Sequence, residues 1–293
     1  MLIDYLTWMQ AGEIGLPTSA CLVNILNTAP IDKPLGEILC IGYDGIMRIL
    51  ESVVLVTGAS GRVGRGLAIS LAMAGAVVGV HCHKNTHEGD EIVRFIQEAG
   101  GKALRIVHDL RDTAGLGQVV DTMVDAFGRL DAVVNCASVF RKTALGDLSI
   151  QEWNEDIAIH QSAPFFLARL LYQHVATHTG RTSPACVVNI TDARVQRPYA
   201  SASSYLCAKG ALEAQTKVLA AALAPLVRVN ATAPGAMVAS SPEENRYFNR
   251  LALQLPLEKL ARQEDMFHTV RFLLENDSIT GQTVAVDSGE HLL

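Results

Sequence analysis

From Ser52 to the C-terminus, short apolar runs alternate with longer amphipathic stretches. The runs Val53–Val56, Val77–His81, Ala103–Val107, Ala132–Asn135, Ala185–Ile190, Val227–Ala231 and Thr283–Val286 predict strands. Apolar residues at helical spacing predict helices over Arg62–Ala74, His87–Ala99, Leu116–Phe127, Gln151–Thr177 and Tyr205–Leu223. Strands that alternate with helices predict an α/β fold: a doubly wound, mainly parallel sheet of about seven strands. The strands are apolar throughout, as burial on both faces requires.

Residues 1–51 lack this rhythm and contain turn-like pieces at Gly15–Pro17 and Ala29–Pro34. Met47 stands just before the first strand. We therefore expect residues 1–46 to be an extension, much of it dispensable or preceding the true start, with a docked extension as the plainer alternative and the domain over 47–293. No Lys or Arg occurs before Lys33, which argues against a leader peptide. The longest apolar run, Leu67–Val80, is short and interrupted by Ser70, Gly75 and Gly79, so no membrane span is expected.

Composition narrows the function. Hydrophobic residues make up 49% and charged residues 18%, enough for a large core. A net charge of −6 argues against nucleic-acid binding. The six cysteines are scattered with no C-x-x-C pair, so we expect reduced thiols, a cytoplasmic location and neither a disulfide framework nor a zinc site.

The first strand runs into Thr57-Gly58-Ala59-Ser60-Gly61-Arg62-Val63-Gly64. A glycine turn between strand and helix lets a pyrophosphate approach the backbone, and the helix N-terminus supplies free N–H groups. The domain is thus Rossmann-like, with Gly58, Ser60, Arg62, Val63 and Gly64 as candidate cofactor contacts. The second strand ends in His81-Cys82-His83-Lys84, where an NAD enzyme carries an acid for the ribose 2′-OH. His83 and Lys84 suit a 2′-phosphate instead, which predicts NADP(H). His81 and His83 share a strand face and offer a metal reading, but no third ligand is near. Asp109 is either an adenine contact or a plain loop aspartate.

Tyr205-Leu206-Cys207-Ala208-Lys209 places phenol and ammonium at i and i+4 on one helix face. A neighbouring cation favours phenolate, which suits proton transfer near neutral pH. With the Thr57–Gly64 turn, Asn135-Cys136-Ala137, Tyr205/Lys209 and Ala233-Pro234-Gly235 in that order, the chain resembles the short-chain dehydrogenase/reductase superfamily from Ser52 onward. That resemblance implies Tyr205 as proton donor, Lys209 on the nicotinamide ribose, and Asn135, Ala137, Pro234 and Gly235 near the cofactor.

Within the superfamily the chain resembles the pteridine reductases and the similar dihydromonapterin reductases. Arg62 replaces the middle glycine of the turn, and His81–Lys84 resembles their His-x-His-basic segment. Asn135–Phe140 resembles their Asn-Asn-Ala-Ser-x-Phe, which implies that Phe140 stacks on a pterin beside Arg62 and Ser138. Phe140 as a core aromatic is the plainer alternative. Asp192 stands thirteen residues before Tyr205, where most of the superfamily has serine. An ionised carboxylate only accepts hydrogen bonds, so it suits a ring N–H and not a ketone oxygen. The rival is Thr191 standing in for the serine, although it faces the other side of a strand.

Two further positions depart from the superfamily. His160 takes the place of its helix asparagine and is either part of a proton relay or a packed residue. Ser288 stands where glycine is common.

These features predict reduction of a pterin such as dihydrobiopterin or dihydromonapterin, an oxidoreductase of the CH–NH donor class. Hydride would go to a ring carbon and the proton would come from Tyr205, with Asp192 orienting the ring. A 3-oxoacyl-carrier-protein reductase and a non-catalytic NADP sensor are the alternatives. The helix Tyr205–Leu223 carries only Glu213 and Lys217 as charged residues after Lys209, and Gln151–Thr177 is also apolar. A helix apolar on most sides is buried by its own domain or by another subunit. The superfamily resemblance implies pairing through these two helices, hence a homotetramer.

Overall fold

The computed structural model describes residues 47–178, 183–239 and 241–293, so the extension expected over 1–46 lies outside them. The elements run β1 (Val53–Thr57), α1 (Arg62–Met73), β2 (Val77–Cys82), α2 (Thr86–Glu98), β3 (Lys102–Val107), α3 (Leu116–Phe127) and β4 (Ala132–Asn135). Then come α4 (Ile150–Ile157), α5 (Ala163–Thr177), β5 (Ala185–Ile190), α6 (Ser203–Leu223), β6 (Val227–Pro234), α7 (Pro242–Ala252), α8 (Gln263–Glu275) and β7 (Thr283–Val286).

The seven strands form one sheet in the order β3-β2-β1-β4-β5-β6-β7. Every pairing is parallel. Strand residues alternate between two cores, as a period of two requires. Val54 and Val56 meet α1, α2 and α8 through Leu67, Ile92, Ile96 and Met266. Val53 and Leu55 meet α3, α5 and α6 through Met123, Leu167 and Leu219. The strand order reverses between β1 and β4, and a ligand crevice opens beyond the C-terminal ends of strands at such a point.

The elements depart from the sequence expectation in three ways. The helix expected over Gln151–Thr177 is two helices joined by a turn of π-helix at Ala158–Ser162. Pro164 lies in the first turn of α5 and has no N–H to give to His160, so the α-helical ladder cannot run through. A reciprocal cap between Ser149 and Glu152 fixes the start of α4. The helices α7 and α8 were not expected. α7 buries only Leu251, so it carries almost no apolar stripe, and its visible signal is the Ser241 cap on the Glu244 N–H at 3.1 Å. α8 does bury Met266, Val270, Leu273 and Leu274 at helical spacing. Third, β6 runs three residues beyond the expected Val227–Ala231, to Pro234. Among the described residues no helix is long and apolar enough to cross a membrane.

Candidate active site

The turn after β1 requires two of its glycines. Gly58 has φ +65°, and a Cβ there would lie 2.5 Å from the Ala137 Cα. A Cβ on Gly64 would lie 2.3 Å from the Gly58 carbonyl oxygen. No side chain caps α1, so its first N–H groups remain available for a phosphate. These features fit a dinucleotide pyrophosphate.

Neighbouring strands hold the turn. Thr57 Oγ1 accepts from the N–H groups of Cys136 (3.0 Å) and Ala137 (3.1 Å). His81 Nδ1 accepts from the Gly58 N–H at 3.2 Å, and the opposite nitrogen gives its proton to the His108 carbonyl at 3.1 Å. Both nitrogens are used by backbone, so His81 is a clamp and not a metal ligand. Burial brings its pKa down to about 4, which keeps the ring neutral.

A cleft of about 760 Å³ opens above the turn. Gly58, Ser60, Arg62, Val63, Gly64, His83, Lys84, Asp109 and Ala137 line it, together with Ser138 and Phe140. Asp109 is already engaged: Arg111 donates to both of its oxygens at 2.6–3.0 Å, and His83 Nε2 lies 3.5 Å away. The Arg111 hydrogen bonds hold the Asp109 pKa at about 2. Arg111 also reaches Glu155 at 3.3 Å and adds a cation to this wall that the sequence reading did not single out. A tight Asp-x-Arg pair on a loop carries no signal that separates it from a surface ion pair.

A second cleft of about 940 Å³ shares Arg62, Val63, Phe140 and Glu244 with the first. Asp192, Tyr205, Pro234 and Gly235 also line it. Arg62 donates to the Val238 carbonyl at 3.2 Å, tying the turn to the segment after β6. Tyr205 meets the Phe140 ring edge to face at 5.0 Å, and 46% of Phe140 is exposed, so it is not a core aromatic.

Tyr205 donates from its hydroxyl to Asp192 Oδ2 at 2.8 Å. The other oxygen of Asp192 accepts from the Arg194 N–H at 2.8 Å, which fixes the carboxylate. Thr191 points elsewhere: it is buried and donates to the Thr232 carbonyl at 3.2 Å. Asp192, not Thr191, therefore occupies the place beside the tyrosine.

Lys209 differs from expectation. Its Nζ donates to the Ile190 carbonyl at 2.6 Å and lies 5.8 Å from the centre of the Tyr205 ring. Tyr205 is held well above the usual range, first by burial and then by the Asp192 charge, so Lys209 does not prevail in lowering it. Burial brings Lys209 itself down to about 8. The predicted contact residue Asn135 also stands behind the cleft wall. Its amide donates to Asn189 at 2.8 Å, and Asn189 donates to Thr216 at 2.9 Å, a buried chain that links β4, β5 and α6.

His160 lies on the π-helical turn, buried, with its ring edge to face against Tyr205 at 5.2 Å. Nδ1 gives its proton to the Asp156 carbonyl at 3.0 Å, and Nε2 accepts from the Val139 N–H at 3.1 Å. The Ser138 hydroxyl lies 3.1 Å from the same Nε2. Burial holds this ring well below the ordinary histidine pKa, so it stays neutral. His160 thus braces the segment that carries Ser138 and Phe140.

The far wall of the second cleft joins residues distant in sequence. Arg194 pairs with the buried Glu290 and donates to the Tyr247 hydroxyl at 3.2 Å. Its guanidinium lies 5.5 Å from the Tyr199 ring centre. Glu290 also accepts from the Ala236 N–H at 3.1 Å. None of these residues carries a motif, so the sequence reading missed them. Among the described residues no cluster of His, Cys, Asp and Glu is suited to a metal.

Comparison with known proteins agrees with this architecture. The family model described as enoyl-(acyl carrier protein) reductase matches residues 58–291. The granaticin polyketide synthase putative ketoacyl reductase 2 of Streptomyces violaceoruber is 31% identical, over 82% of this chain and 96% of that one. The 3-oxoacyl-[acyl-carrier-protein] reductase of Synechocystis is 30% identical over 82% and 97%. Among solved structures, the FolM alternative dihydrofolate reductase 1 of Brucella canis, in complex with NADP, superposes with TM-score 0.76 at 36% identity, over 84% of this chain and 96% of that one. The Brucella suis protein of the same name, also with NADP, gives 0.74 at 36% identity, over 83% and 96%. The NADP in both agrees with the cofactor expected from His83 and Lys84. The chain belongs to the short-chain dehydrogenase/reductase superfamily.

Proposed function

We propose that this protein reduces a pterin, of the dihydrobiopterin or dihydromonapterin kind, at the expense of NADPH. One observation carries the reading: Asp192, an acceptor only, stands 2.8 Å from the catalytic phenol where a ketone reductase needs a hydroxyl donor. A pterin offers ring N–H and amino donors to that carboxylate. The name alternative dihydrofolate reductase, borne by both Brucella neighbours, supports a pterin-type ring.

NADPH, held by Gly58, Ser60, Gly64, His83 and Lys84, supplies a hydride when bound, which leaves the substrate to take up one proton. Tyr205 keeps its proton until it is needed, because burial and Asp192 hold its pKa high. It gives that proton to the ring nitrogen. The phenolate left behind is eased by the Ser138 hydroxyl, which favours that charge, and by the buried Lys209 cation. Asp192 orients the ring by accepting from its donors, and Phe140 offers an exposed face for stacking. Ile150, Trp153, Phe165 and Val218 remain exposed on α4, α5 and α6, and we assign them to contacts between subunits of a homotetramer.

The ketoacyl reductase names of two relatives favour a second reading, reduction of a 3-oxoacyl thioester. One assay separates the readings. NADPH oxidation is followed with dihydropterins, with an acetoacetyl thioester and without substrate. Turnover of the dihydropterin alone is expected. Turnover of the thioester alone overturns the proposal, and NADPH binding with no turnover identifies a sensor.

A further inference from the structure

Behind Tyr205 lies a small cavity of about 10 Å³, room for one water molecule. Arg141, Asp156, Ser203 and Ser204 line it. Each has a solvent-inaccessible atom with no hydrogen-bond partner: Arg141 Nη1, Asp156 Oδ1, Ser203 Oγ and Ser204 Oγ. Arg141 Nη1 is 3.7 Å from Asp156 Oδ1, too long for a hydrogen bond and the kind of gap that a water bridges. The Ser204 hydroxyl faces the same carboxyl without completing ordinary hydrogen-bond geometry. A buried polar group left without a partner is costly, and four of them meet at this spot.

The location gives the cavity a role. Helix α6, which carries Tyr205 in its first turn, begins at Ser203, and its N-cap residue Ala202 has no side chain able to cap it. A carboxylate near a helix N-terminus offsets the partial positive charge there. Asp156 comes from α4, and its residue is 4% exposed. Arg141 immediately follows Phe140, and a bridge between Thr143 and Ala202 ties that segment to the start of α6. Arg141 also pairs with Glu155.

We propose that Asp156 and one bound water form a tertiary brace at the start of the catalytic helix, and that this brace holds Tyr205 and Phe140 in register. Asp156 is then a positioning residue: it touches neither cofactor nor substrate. The water bridges Asp156 Oδ1, Arg141 Nη1 and the two serine hydroxyls. The effect on KM rests on the proposed roles of Tyr205 and Phe140 at the substrate, but the water site does not.

A crystal structure in which waters are resolved is the first test. We expect one water within hydrogen-bond distance of Asp156 Oδ1 and of at least two of the other three atoms. A dry cavity, closed by direct side-chain contacts, overturns the proposal whatever the substrate proves to be. The second test compares Asp156→Ala with Asp156→Asn in the full chain, using whichever substrate turns over. We expect Ala to raise the substrate KM about tenfold with the NADPH Kd unchanged, as loss of about 1.4 kcal/mol in placing the substrate implies. Asn keeps an acceptor for the water and should recover most of that loss. An unchanged KM in the Ala variant, whatever its kcat, overturns the positioning role.

Discussion

His81 and His160 sit in different regions of the site and brace them with opposite ring nitrogens. His81 holds the phosphate turn: Nδ1 accepts from Gly58 and Nε2 donates to His108. His160 holds the segment that carries Ser138 and Phe140: Nε2 accepts from Val139 and Nδ1 donates to Asp156. Both rings are neutral because burial disfavours the charged form. They differ in origin. His81 is placed by strand register at the end of β2, beside the turn it serves. His160 is placed by a local departure from α-helix, and the segment it serves follows a different strand. A strand end can recruit a histidine through regular pairing, whereas the Ser138–Phe140 wall needs an irregularity to aim one.

The largest effect should come from the chemistry between these two regions. Tyr205→Phe is expected to lower turnover by about 10²-fold or more while NADPH binding persists. Titration of NADPH fluorescence alongside steady-state rates checks this, and full activity would remove Tyr205 from the role.

Next, replacing each histidine by phenylalanine should leave one backbone N–H orphaned, at about 1–3 kcal/mol of stability. The two variants should differ in what else they lose. His81→Phe is expected to weaken NADPH binding and His160→Phe to raise the substrate KM. Identical kinetic defects would dissolve the distinction between the regions.

The pair also sets a pH dependence. His81 titrates at its ordinary 6.5 in the unfolded chain and at about 4 in the fold. The unfolded chain takes the proton first, so this contribution is complete above pH 6.5 and falls away as pH drops toward 4. The full loss is on the order of 3 kcal/mol from His81, and His160 acts in the same direction. Denaturant midpoints between pH 7 and 4 should show this slope, and His81→Asn should flatten it.

The smallest effect lies away from both histidines. Ser288 has φ +56°, in the left-handed region, which explains why glycine suits this place. Ser288→Gly is expected to change stability by about 1 kcal/mol or less in the favourable direction, read as a slightly higher Tm.

Much of the cofactor half was legible in the sequence because its parts are local. Thr57–Gly64 and His81–Lys84 each occupy one strand end, and regular β–α connections bring them together. The fold class was legible for the same reason, since apolar strands alternate with amphipathic helices. The helix α7 escaped notice because it buries only Leu251. The Arg194–Glu290 pair escaped because its partners are joined only after the C-terminal segment folds back.

The sequence alone determined the parallel α/β domain, the glycine turn, the basic segment at the end of β2 and the candidates Tyr205, Lys209 and Asp192. Short spacings impose these, and backbone geometry propagates them. Only the tertiary structure decided between Thr191 and Asp192, because strand pairing turns one hydroxyl onto Thr232 and aims one carboxylate at Tyr205. It also withdrew Asn135 into the sheet and raised the Tyr205 pKa above its ordinary range. Burial and the nearest charges set a side chain's chemistry, and both depend on segments far apart in the chain.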